Sequence, residues 1–143
     1  MYLVDTNVIS AGARAEDTPD LAAWMDRNSS RLYLSTVTIA EIEAGIAKLR
    51  RTGSGRKATA LTQWLDTLLH LYAERVLTFD VAVARMAGRF SDVARAKGRP
   101  PGFPDVAIAA TAKARDLVLL TRNVRHFTTF DIEVHDPFRA LPS

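Results

Sequence analysis

Residues 2–7, YLVDTN, join a short apolar run to an acid, a hydroxyl and an amide in immediate succession. Asp, Thr and Asn favour turns and helix starts because their side chains bond nearby backbone amides. A surface turn therefore explains one such residue. The stretch becomes informative through its repeats elsewhere: 32–35 (LYLS), 76–79 (VLTF) and 117–120 (LVLL) are equally short, apolar and bounded by polar residues. Such runs read as buried strands. A weaker fifth run covers 132–135 (IEVH).

Between the strands lie segments of helical periodicity. They span about 18–28, with Thr18 as N-cap and Pro19 at the first helical position, then 38–52, 57–72, 81–97 and 105–115. Gly98, Arg99, Pro100 and Pro101 stop the fourth of these. Strands separated by one or two helices predict an α/β fold, a parallel sheet of about five strands with helices on both faces. At 143 residues the chain fits one domain over 1–143. In such sheets ligands bind beyond the carboxyl ends of the strands. Asp5 ends the first strand, Asp80 follows the third, and Thr121, Arg122 and Asn123 end the fourth.

Composition narrows the chemistry. With no cysteine there is neither a disulfide framework nor a thiolate metal site. No stretch approaches the roughly 20 apolar residues of a membrane span, and the N-terminus lacks signal-peptide features, which suits a cytoplasmic protein. The net charge of +3, from 19 basic and 16 acidic residues, favours polyanionic partners without naming them. His70, His126 and His135 are scattered and read as structural or surface residues, and "GSGRKAT" (53–59) reads as a linker between helices.

Glu41 and Asp105 both fall near helix starts that face the same edge as Asp5. Carboxylates gathered in one cleft repel by roughly 4 kcal/mol per pair at 4 Å and an effective dielectric of 20, so they take up protons or a cation. An all-oxygen donor set suits Mg²⁺ or Mn²⁺ and disfavours zinc. A hard cation so held activates water and stabilises a phosphoryl transition state, so phosphodiester hydrolysis is the natural reaction. Flanking bases must offset the acids if the substrate is a nucleic acid. Lys48, Arg50, Arg51, Arg56, Lys57, Arg95, Lys97 and Arg99 are candidates, and Arg122 and Arg125 follow the fourth strand.

Structural readings stand beside these. Thr38 to Glu41 has capping-box spacing, Glu43 reads as a solvated partner of Lys48, Asp105 complements a helix dipole, and Asp80 reads best as an N-cap.

In order and spacing, "LVDTNVIS" (3–10), "STVTIAEIEAG" (35–45), "PDVAIAATA" (104–112) and "LLTRNVRHF" (119–127) together resemble the PIN-domain ribonucleases, in particular the VapC-type toxins of bacterial toxin–antitoxin pairs. The resemblance implies a three-layer sandwich around a five-stranded parallel sheet, and an acidic site that binds Mg²⁺ or Mn²⁺ and cleaves RNA. It assigns Asp5 and Asp105 to metal binding, Glu41 to the acid after the second strand, and Thr6 and Thr121 to orienting the site. Asn123 stands where the family often has a fourth acid and would position water or phosphate. Arg99, Arg122 and Arg125 are candidates for RNA binding. A homodimer and a small antitoxin that occupies the acidic cleft are the implied partners. Competing readings are a phospho-accepting receiver domain, which would want paired acids near the first strand and a late lysine, and a PIN-like module that binds RNA or a partner without cutting.

Overall fold

The computed structural model describes residues 1–98 and 101–143. Its five strands, β1 (Tyr2–Val4), β2 (Leu32–Ser35), β3 (Val76–Leu77), β4 (Val118–Leu120) and β5 (Val134–His135), form one sheet in the order β3-β2-β1-β4-β5, and every neighbouring pair is parallel. The first strand in sequence is thus the central one. Tyr2 and Leu3 face Leu32 and Tyr33 on one side, while Val118, Leu119 and Leu120 face Tyr2, Leu3 and Val4 on the other.

Successive strand residues point to opposite faces of a sheet, and here that alternation separates two cores. Val4, Leu32, Leu34 and Leu120 pack with α1 (Thr6–Ala11), α2 (Pro19–Arg27), α3 (Thr36–Arg51) and α4 (Gly55–Tyr72). Leu3 and Leu119 pack with α5 (Val81–Ala96), α6 (Phe103–Ala114) and the late residues Phe127 and Phe130. A three-layer α/β/α arrangement follows, as the resemblance implied.

Several boundaries differ from the sequence reading, each for a local reason. The six-residue α1 was not anticipated; it starts directly on Asp5, whose carboxylate accepts the Thr6 amide at 2.8 Å. The third apolar run yields only a two-residue ladder, because after Leu77 the chain turns so that Asp80 can cap α5, its Oδ1 accepting from the Val83 amide at 3.0 Å. Asp80 also pairs with Arg115. Thr18 stands at the N-cap position of α2, yet its hydroxyl caps nothing and is the one buried side-chain polar atom without a partner among the described residues.

Helix α3 starts at Thr36, two residues before the predicted start, because the Ser35 hydroxyl accepts from the Val37 amide at 3.0 Å. The Thr38–Glu41 capping box is therefore absent: Thr38 is fully buried inside the helix and Glu41 lies in its second turn. Glu43 makes no ion pair with Lys48 among the described residues. Helix α6 likewise begins two residues early, with Gly102 at its N-cap and Asp105 in its first turn. Arg99 lies outside the described residues.

Candidate active site

The carboxyl end of β1 delivers Asp5 to the edge of the sheet at its centre. Its backbone amide bonds the Leu120 carbonyl at 2.9 Å, which places it beside the end of β4. Only 5% of Asp5 is exposed. Buried carboxylates need partners, and Asp5 has three: Oδ1 accepts from the Thr6 amide, while Oδ2 accepts from the Thr121 hydroxyl at 2.7 Å and from Asn7 Nδ2 at 3.2 Å.

Two residues tie β1 to the loop after β4. Thr121, itself fully buried, also receives the Asn123 amide at 3.0 Å and Asn7 Nδ2 at 3.3 Å. Asn7 completes the link by accepting the Arg122 amide on Oδ1 at 3.1 Å. Thr6 reaches the other way, donating to Glu41 Oε1 at 2.6 Å with its oxygen 3.2 Å from that of Thr38. Through Thr6 and its amide, Asp5 and Glu41 are thus held by one residue.

Burial is the main reason the Asp5 carboxyl is pushed above the usual carboxylate range. The Thr121 hydroxyl and the Thr6 amide act against that shift, whereas the negative charges of Asp105 and Glu41 add to it. The three acids therefore share one electrostatic neighbourhood. They do not form a closed cage, for no cluster of three or more His, Cys, Asp or Glu side chains close enough to hold a metal occurs among the described residues. Such a donor set fits Mg²⁺, which keeps several waters and takes one or two protein carboxylates.

The remaining predicted residues divide. Asn123 is exposed and enters the network through its backbone amide, not through its side chain. Arg122 lays its guanidinium over the Phe138 ring at 3.8 Å, and Arg125 is exposed. From the basic run, Lys57 joins Arg14, Thr6 and Glu41 in lining a cleft of about 470 Å³ between α1, α3 and α4. Sequence reasoning gave no role to Asn7 beyond its place in YLVDTN, gave Thr38 only that of a helix cap, and read His126 as a structural or surface residue. His126 Nδ1 in fact stands 3.2 Å from Asp105 Oδ2.

Fold and site together define a class: an α/β protein whose parallel sheet presents a buried, hydrogen-bonded aspartate and two nearby acids at its carboxyl edge. The profile of the PIN domain matches residues 2–132, and the chain belongs to that family, in its VapC-type branch. It is 36% identical to Toxin FitB of Neisseria gonorrhoeae, over 96% of this chain and 99% of that one. VapC ribonuclease Y4jK of Sinorhizobium fredii is 33% identical, over 96% and 98% of the two chains. The crystal structure of FitAcB from Neisseria gonorrhoeae superposes with a TM-score of 0.84 at 36% identity, covering 96% of this chain and 99% of that chain.

Proposed function

We propose that this protein is an endoribonuclease dependent on Mg²⁺ or Mn²⁺, and the toxin of a toxin–antitoxin pair. The observation that carries the reading is Asp5: buried, fixed by Thr6, Asn7 and Thr121, and raised in pKa partly by Asp105 and Glu41. A cation relieves that cost, and relatives named as a toxin and as a ribonuclease support the chemistry.

When bound, the ion supplies Lewis-acid stabilisation of the charge that builds on the phosphoryl oxygens. Asp5 and Asp105 would hold it. Thr121 keeps Asp5 in one orientation, and Thr6 does the same for Glu41, which takes the proton of the attacking water. The exposed Asn123 side chain positions that water or the scissile phosphate. Attraction for the RNA comes from the net charge of +3 and from Arg14, Lys57, Arg122 and Arg125 around the acids. Arg99 belongs to the same proposal from its place before Asp105 in the sequence.

A small antitoxin blocks the site in this reading, a guanidinium standing in for the cation by bidentate pairing with carboxylates. The protein acts as a homodimer of single-domain chains in the cytoplasm, where its substrate is. No helix among the described residues is long and apolar enough to cross a membrane.

The test is cleavage of a structured RNA pool with Mg²⁺, Mn²⁺ or chelator, beside Asp105→Asn. Cleavage that needs both the metal and Asp105 is expected. Equal cleavage in chelator, or by the variant, refutes the reading.

A further inference from the structure

The His126 side chain is about half exposed, yet its placement is not free. It ends a single 3₁₀ turn, Val124–His126, closed by backbone bonds from His126 to the Asn123 carbonyl and from Phe127 to the Val124 carbonyl, both at 3.0 Å. The next residue, Phe127, is fully buried in the core under α5 and α6, and Phe130 stacks on Phe90 at 4.9 Å between ring centroids. The other end of the segment is pinned as firmly, through Thr121 on Asp5 and the Arg122 amide on Asn7. One short stretch, 121–127, therefore touches both acids assigned to the cation: Thr121 on Asp5 and His126 on Asp105.

We infer that His126 is a positioning residue for Asp105, fixing its carboxylate for the cation as Thr121 fixes that of Asp5. The inference rests on the acid-site reading above. A carboxylate only accepts, so Nδ1 is the donor in this pair. The bond occupies Oδ2 and selects one rotamer of a side chain that is itself 28% exposed. Oδ1 has no hydrogen-bond partner among the described residues and is the oxygen left for the ion. Contacts of this kind outside the ligand shell commonly control affinity by 10–100-fold.

The probe is Mn²⁺ alone, titrated calorimetrically into the folded protein without RNA, with His126→Leu, His126→Asn and Asp105→Asn compared with the parent. Asn carries an N–H donor near the position of Nδ1, whereas Leu keeps bulk and loses the bond. His126→Leu is expected to weaken Mn²⁺ binding about 10-fold or more, with His126→Asn restored to within about 3-fold of the parent. Parent-like or tighter binding by His126→Leu overturns the inference, as does an Asn variant no better than Leu, since the hydrogen bond would then be irrelevant. Parent-like binding by Asp105→Asn is the separate outcome that removes the acid site itself, and the proposed function with it.

Discussion

Among the described residues, Asp5 is the one carboxylate in the set of buried polar side chains, which otherwise are Ser35, Thr38, Thr111 and Thr121. Its raised pKa sets a sign for stability. Between the ordinary carboxylate range and the raised value, the folded protein keeps a proton that the unfolded chain has released, so stability falls as pH rises through that window. Asp5→Asn removes the ionisation while keeping the shape. In chelator, its stability relative to the parent is expected to rise with pH and the difference to shrink in acid, as urea titrations across pH would show. Activity should fall by more than about 100-fold, beyond the range seen for groups outside the ligand shell. A variant that tracks the parent at every pH would mean that Asp5 ionises without cost.

At the scale of elements, helix α3 carries Glu41 from a cap that is itself the last residue of β2. Ser35 is 1% exposed and its hydroxyl satisfies the Val37 amide. Ser35→Ala should cost about 1 kcal/mol, within the 0.5–2 kcal/mol typical of N-caps. Denaturant unfolding would measure it, and a loss below about 0.3 kcal/mol would show that another group takes over the amide. The same helix marks how far the sequence was legible. Its periodicity placed the element and its strand placed the edge, but the choice between Ser35 and Thr38 as cap depends on which hydroxyl is left outside the helix, and both spacings are permissible. The six residues of α1 are too few to show a helical period beside a strand. Asp5, Thr6, Glu41, Asp105 and Thr121 stood out as chemical types at an edge that the parallel sheet defines. Asn7, Thr38 and His126 did not, since each acts through a partner 21 to 115 residues away in the chain.

For the whole molecule, the central position of β1 divides the interior into two cores, and Phe127 is the largest side chain fully buried in either. Phe127→Ala should cost about 3–5 kcal/mol, a large part of the 5–15 kcal/mol that holds a typical domain. A fall in Tm of roughly 10 °C or more is expected by thermal melting; a change under about 3 °C would mean that the second core does not depend on that ring. The mild net charge of +3 belongs to the same scale: it favours polyanionic partners, while the carboxyl at the centre of the sheet edge is acidic.

The bond between Thr121 and Asp5 spans 116 positions, and Leu120 beside it supplies the carbonyl that seats the Asp5 amide. During synthesis, residue 5 emerges well before these partners, which lie more than about a hundred positions further along the chain. A growing chain that ends before residue 120 lacks β4, leaves the central strand with one neighbour, and holds its key aspartate without the hydroxyl that orients it. The delay is built into the topology: the arrangement forms only after residue 121 has been made, so a product cut before it carries Asp5, Glu41 and Asp105 without the hydroxyl that orients Asp5.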